Sequence, residues 1–332
     1  MTFPNADLLG NGGGLRKNIR CVRNVPGNVS SLHLWVYIVH NLRRSKHEKD
    51  NQGMGGGLRM EFYHRKFKGK EMTLYPLGDW HYGSRQCNEK FVTQVISGVK
   101  DDGNGYWVGM GDFMENAIIG SKSDMYTQLL PPKEQMEHIS DLLEPIKDKG
   151  LFMIGGNHEA RTMRQSGIQP EMYIATRLGI PYMGFSCVAV FELDRVRGPY
   201  SFTCYFHHNT GGGYSMGGKV NAAEKLRLIT PAADATFSAH LHTTGRIPIK
   251  WYDAGKHQIL ERLGYDYMIG SALTWNGSYA EEKAKRSAAE EHIAVTFMVR
   301  NTDSSNYDGR KQFYRVIIPE SVSPVGGVRG EV

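Results

Sequence analysis

Five short apolar runs, each ending in a cluster of carboxylate, imidazole or amide side chains, constrain this chain more than any other feature. MTLYPL leads to Gly78, Asp79, Trp80 and His81, and YWVGM leads to Gly111, Asp112, Glu115 and Asn116. LFMI leads to Gly155, Gly156, Asn157, His158 and Glu159. SFTCYF leads to His207, His208 and Asn209, and ATFSA leads to His240, Leu241 and His242. The runs are rich in aromatic and β-branched residues and are bounded by Gly or polar turns, which predicts strands. Between them, residues 89–100, 133–149, 170–178 and 221–229 carry apolar side chains at helical spacing. Strands alternating with helices predict an α/β fold with at least one largely parallel sheet. In an open sheet of this kind, ligand sites form beyond the carboxyl ends of the strands, so the five clusters are expected to converge. Two later runs, HIAVTFMV and QFYRVIIP, flank the polar stretch NTDSSNYDG and predict a terminal hairpin.

The residue types in the clusters define a chemistry. Carboxylate, imidazole and amide oxygen together favour Mn, Fe or Zn over a calcium cage, which takes mainly oxygen ligands. The ligands are too many for one tetrahedral zinc. Two ions ~3.5–4 Å apart, sharing a bridging carboxylate, would stabilise both the attacking and the leaving oxygen of an in-line displacement at phosphorus. Asp-x-His and His-x-His each place two side chains within reach of one site just past a strand, and the glycines let the backbone bend close to it. Taken singly, a His at a strand end or a Gly-Asp pair is most often structural. Five clusters in order, holding six of the thirteen histidines, favour a metal site instead.

Composition removes several alternatives. Of 332 residues, 40% are hydrophobic and 22% charged, enough for a substantial core and too little charge bias for wholesale disorder. Cys21, Cys87, Cys187 and Cys204 show no C-x-x-C spacing, which argues against a disulfide framework or a thiolate zinc cluster and for a reducing, cytoplasmic setting. The longest apolar run, Leu34 to Val39, falls far short of the ~20 residues a membrane span needs and is followed by Arg43 and Arg44, so membrane insertion and secretion are disfavoured. Residues 1–59 hold nine of the 40 Lys and Arg and three of the 34 Asp and Glu, which leaves 31 of each sign in residues 60–332. The whole net charge of +6 therefore belongs to the leading segment, and the pI alone gives little support to nucleic-acid binding by the body. That segment carries GNGGG and GMGGG and is expected to be flexible. Three readings of it stand side by side: a disordered basic arm, an electrostatic tether to phosphate backbones, or a stretch outside the natural protein, with Met60 as the true start behind a purine-rich run encoding Gly55 to Gly57. Residues 60–320 are read as one domain and residues 321–332 as a loose tail.

The ordered series GDWH, GDFMEN, GNHE, FHHN and AHLH, spanning about residues 74–275, resembles the calcineurin-like metallophosphoesterase superfamily. The resemblance implies an α/β four-layer sandwich of two mixed β-sheets flanked by helices, with a dinuclear centre at the strand carboxyl ends. It implies that Asp79, His81 and His242 hold one metal, that Asn157, His207 and His240 hold the other, and that Asp112 bridges them. His158 would bind no metal and would protonate the leaving oxygen or stabilise the transition state, with Glu115 placed to orient it. His208 competes with His207 for the fourth position, and His207 is preferred because it directly follows the strand. The sequence departs from the family in having Ala239 where Gly is usual, and GDFMENA where the protein phosphatases have Gly-Asp-x-x-Asp-Arg-Gly. The missing Arg argues against a phosphoserine-type phosphatase.

Around these clusters, Arg161 and Asn116 are candidate substrate contacts, whereas Arg164 reads as a solvated helical residue. The glycine-rich loop after His207 offers Tyr214 and Lys219, the insertion from Ala117 to Pro132 is placed to select substrates, and Trp275 reads as core. The combined expectation is a phosphoesterase dependent on two divalent transition metals (Mn, Fe or Zn, with Mn favoured). Its phosphate-ester substrate is expected to be a phosphodiester, DNA or RNA, because FHHN resembles the fourth motif of the double-strand-break repair nucleases. A phosphomonoesterase of phosphoproteins or nucleotides is the alternative, and a metal-free scaffold or accessory subunit the non-enzyme one.

Overall fold

The structure, a computed structural model, describes residues 60–320 apart from 122, 195–197, 255, 256, 258, 276–280, 282, 283, 285–288 and 300–309. The basic leading segment, the tail from 321 and the stretch NTDSSNYDG thus lie outside the described residues. The apolar run at 72–77 becomes β2 (Glu71–Leu77), buried on both faces as a central strand must be. It pairs in parallel with β3 (Gly105–Gly109), which pairs in parallel with β4 (Gly150–Met153). On its other side β2 meets β10 (Glu291–Val299), antiparallel, and β10 pairs with β11 (Arg310–Ile317) as the expected hairpin.

A second group of strands completes the sheet. β1 (Glu61–Phe67) runs parallel to β5 (Ser186–Leu193), and β5 is antiparallel to β6 (Tyr200–His207). β6, β7 (Ala235–Ser238) and β9 (Ile259–Ser271) are parallel neighbours, and β8 (Thr244–Ala254) folds back on β9. The two groups join where β9 pairs with β10 at Ser271 and Gly270. The result is an α/β fold on one curled, mixed sheet, in which hairpins break the largely parallel arrangement expected from strand–helix alternation.

The curl lets both groups bury one core. Leu74, Val108 and Ile154 from the first pack with Phe191, Phe206, Phe237 and Tyr267 from the second. Of the five α-helices among the described residues, α1 (Glu89–Asp101), α2 (Pro132–Leu143) and α4 (Pro170–Leu178) cover the opposite face of β2–β4. α3 (Glu159–Ser166) follows β4, and α5 (Met216–Arg227) lays Ala222 and Ala223 on Leu241 and Met268. The single helix expected over 133–149 divides into α2 and a 3-10 turn at Glu144–Lys149, because Pro145 has no N–H to continue the helical ladder. No described helix is long and apolar enough to cross a membrane, and Cys87, Cys187 and Cys204 are free thiols.

Candidate metal centre

Backbone contact between turns is what brings the strand ends together. A Cβ on Gly111, whose φ is +84°, would lie 2.4 Å from the Gly156 nitrogen, and one on Gly156 would lie 2.2 Å from the Asp112 nitrogen. Only glycine permits this approach of the turns after β3 and β4. The turn after β2 joins them through the Asp79 N–H, which donates to Gly111 O at 3.0 Å. Beyond these turns, Asp79, His81, Asp112, His240 and His242 all have φ between +47° and +67°. A non-glycine residue held there costs roughly 1–3 kcal/mol and persists where the surroundings over-determine it. Asn116 and Asn209, in the same polar clusters, share this backbone at φ +46° and +74°, so the strain falls mostly on the clusters that follow the strands.

Three overlapping groups result, each with ligand atoms within 4.8 Å of one another: Asp79, His81 and His242; His81, Asp112 and His158; and Asp112, His208 and His240. Asp112 is common to two of them. Its Oδ2 lies 3.1 Å from His208 Nε2 and 3.9 Å from the Nε2 atoms of both His81 and His158. Asp79 and Asp112 are completely buried. Asp79 Oδ2 accepts the His240 N–H at 2.7 Å, and Asp112 Oδ1 accepts the His158 N–H at 2.8 Å. The second oxygen of each carboxylate is buried without an aligned hydrogen bond: Asp79 Oδ1 has no donor, and Asp112 Oδ2 has only the ion-pair contact with the His208 ring at 3.1 Å. Buried carboxylate oxygens without donors are costly, and a cation is the partner that removes the cost. The buried Asp and His clusters are thus able to hold a metal ion.

The fourth cluster corrects the expectation. His208, not His207, enters the site. Its Nδ1 donates to Met110 O at 2.7 Å, and its Nε2 lies 3.0 Å from Asn157 Oδ1 and beside Asp112. His207 is half-buried, and its Nδ1 accepts the Asn209 N–H at 2.6 Å. The reason lies in strand alternation: Phe202, Cys204 and Phe206 face the core, and the next even position is 208. Burial opposes a charge on His208, but Asp112 outweighs it and raises the pKa to about 10. Burial likewise pushes Asp112 up, and the His208 and His158 rings outweigh it and hold the carboxyl well below its ordinary range. Burial pushes Asp79 up to about 7 and His158 down to about 4.

The flanking candidates separate. Asn116 is buried and spent on structure: its Nδ2 donates to His158 O at 2.6 Å and Thr162 Oγ1 at 2.9 Å, so it braces the turn instead of meeting a substrate. Arg161 is half-buried, and its Nη1 donates to Glu115 O at 3.3 Å and Ser123 Oγ at 2.9 Å, which sets the guanidinium beside the site and against the insertion. The insertion is strapped back by Gln128, which bonds both the N–H and the C=O of Ala117. Glu115 Oε2 lies 3.3 Å from His81 Nδ1 and 3.9 Å from His158 Nδ1. Arg164 is exposed and Trp275 half-buried. Tyr214 is exposed, whereas Lys219 Nζ donates to the Thr243 hydroxyl, next in sequence to His242.

Two buried carboxylates behind the site had no assigned part. Glu159 accepts the N–H groups of Asp112 and Met114 at 3.0 Å each, and Glu171 accepts that of Gly156 at 2.8 Å. They hold the turns that carry the ligands. Glu171 gives no sequence signal, because an acid after Pro170 in a first helical turn is ordinary. Neither the models of known protein families nor the curated proteins include a match to this chain.

Proposed function

We propose that the protein is a phosphoric ester hydrolase of the calcineurin-like metallophosphoesterase kind, a four-layer sandwich of two mixed sheets flanked by helices with a dinuclear transition-metal centre, Mn being favoured. The observation that carries the reading is Asp112 Oδ2, a completely buried carboxylate oxygen that makes no aligned hydrogen bond and faces three imidazoles, His208 at 3.1 Å and His81 and His158 at 3.9 Å. In this reading Asp79, His81 and His242 hold one ion, Asn157, His208 and His240 the other, and Asp112 both. When bound, such a pair supplies an activated water and neutralises charge on a phosphoryl group.

The chain's own residues complete the assignment. His158 donates its Nδ1–H to Glu115 O at 2.7 Å, which leaves Nε2 as the atom that meets the substrate. To protonate the leaving oxygen the ring must enter the reaction as the imidazolium, with a second proton on Nε2, a form that burial opposes and the Asp112 carboxylate and a bound phosphate anion favour. Arg161 offers a guanidinium for a non-reacting phosphate oxygen. A diester carries less charge than a monoester dianion, and one flanking Arg suits a diester, so a phosphodiester of the nucleic-acid type is the proposed substrate.

Elemental analysis of the metal-replete protein, with hydrolysis of bis-p-nitrophenyl phosphate and single-stranded DNA against p-nitrophenyl phosphate, tests the reading. Two equivalents of transition metal per chain and cleavage of the diesters are expected. A stoichiometry near zero would refute the enzyme reading and favour a scaffold; hydrolysis of monoesters alone would move the substrate to the phosphomonoester alternative.

A further inference from the structure

Glu115 stands between two histidines that the proposed function treats differently, and geometry decides which of them its side chain serves. His158 Nδ1 carries at most one proton, and the Glu115 main-chain oxygen is 2.7 Å away while the carboxylate Oε2 is at 3.9 Å. The carbonyl takes that proton. His81 Nδ1, by contrast, is 3.3 Å from the same Oε2, an ion-pair contact short of an aligned hydrogen bond, and this buried nitrogen has no other hydrogen-bond partner. The far nitrogen of His81, Nε2, lies 3.2 Å from His242 Nε2, within the group that includes Asp79. Two imidazole nitrogens facing each other at that distance suit a cation between or beside them. His81 can contribute there only if its proton sits on Nδ1.

The backbone fixes this pairing. Beyond β2 and β3 the chain continues side by side: the Tyr82 N–H donates to Phe113 O at 2.8 Å and the Glu115 N–H to Tyr82 O at 3.0 Å. The residue two past Asp79 therefore lies against the residue three past Asp112.

We infer that the Glu115 carboxylate is a positioning residue for His81, taking its Nδ1–H and aiming Nε2 at the ion shared with Asp79 and His242, while His158 is oriented by the Glu115 main-chain carbonyl. The inference rests on the dinuclear reading above. An outer partner of this kind typically contributes 10–100-fold in metal affinity.

The test titrates Co²⁺ into the metal-stripped full-length chain, following heat and the visible spectrum, for wild type, Glu115→Ala, Glu115→Gln, Glu115→Asp and His158→Asn. Glu115→Ala is expected to weaken one of the two equivalents by about 10–100-fold and to change the spectrum of that ion only. Glu115→Gln, whose amide oxygen still accepts the Nδ1–H, restores most of the affinity, and His158→Asn leaves both equivalents in place. Should Glu115→Ala not fold, Glu115→Asp is expected to show the same selective loss, because its carboxylate stops short of His81. If Glu115→Ala or Glu115→Asp binds both equivalents as wild type does, and its loss of turnover vanishes in a His158→Asn background, the carboxylate acts through His158 and the inference is overturned. If the wild type itself binds no Co²⁺, the dinuclear reading falls and the inference falls with it.

Discussion

Within a few residues along β2, β3, β6 and β7 the chain passes between two regimes. In the strand middles Leu74, Val108, Phe206 and Phe237 are completely buried, and the Phe206 and Phe237 rings stack with centroids 4.8 Å apart. Nothing there is strained or unsatisfied in kind. Beyond the strand ends, left-handed backbone recurs at seven non-glycine residues, Asp79, His81, Asp112, Asn116, Asn209, His240 and His242, and two buried carboxylate oxygens make no aligned hydrogen bond. The middles supply the stability that the ends consume, and a feature so costly persists only where it is used. Substitutions at the ends should therefore change chemistry with modest effect on the fold, and substitutions in the middles the reverse.

The largest expected effect lies at the ends. Asp112→Asn should lower diester hydrolysis by a factor on the order of 10³ or more, the scale seen when a preorganised charge-stabilising group is lost. Metal content should fall with it, because an amide bridges two ions poorly. Circular dichroism should show the wild-type fold. Unfolding of the variant would erase the distinction between middle and end.

His158→Asn sharpens the same point. Turnover should drop by ~10²–10⁴, the usual worth of proton transfer, while metal content stays at the wild-type level. A substrate with a very good leaving group should lose less than one with a poor leaving group; equal losses would remove the proton-transfer role from His158.

Phe237→Ala probes the other regime. Phe237 is completely buried and stacks on Phe206 and, at 5.1 Å, on Tyr267. Its truncation should cost roughly 3–5 kcal/mol by urea unfolding, the range for a buried Phe replaced by Ala. The folded fraction should bind metal with wild-type stoichiometry, and selective loss of metal would show that the core and the site are one cooperative unit.

The same contrast explains what could be read in advance. Each strand end couples an apolar run to a polar cluster within about ten residues, a local pattern, and so the sequence marks Asp79, His81, Asp112, Asn157, His158, His240 and His242 as candidate site residues. Position directly after the strand favours His207, whereas the face on which Phe202, Cys204 and Phe206 lie points to His208. Asn116 reads as a substrate contact because its amide is polar and nearby, but its partners Thr162 and the His158 carbonyl lie more than 40 residues on. β1 is mostly exposed and charged and becomes a strand through parallel pairing with β5, whose Cys187 meets Glu61 across more than 120 residues. Such long-range partners leave no periodicity in the chain.

The smallest expected effect concerns acid stability, and it sits at the start of β10, against the turn that carries Asp79 and His81. His292 on β10 is completely buried, and burial pushes its pKa down to about 4. Its Nε2 accepts the Trp80 Nε1–H at 3.1 Å, a bond that protonation of Nε2 would destroy. An unfolded chain takes up the proton near the ordinary value of about 6.5, so between that pH and about 4 the unfolded state binds more protons than the folded one. The contribution of His292 is thus fully present above about pH 6.5 and is lost as the pH falls, by on the order of 1 kcal/mol per pH unit within the window. His292→Gln cannot titrate, and its amide can still accept from Trp80. Urea unfolding of both proteins at pH 7, 6 and 5 isolates the group from the other buried histidines. The variant should start out less stable or equal at pH 7, and the gap should shift in its favour by about 1–2 kcal/mol at pH 5. A gap that stays constant with pH would mean that His292 is able to protonate within the folded core.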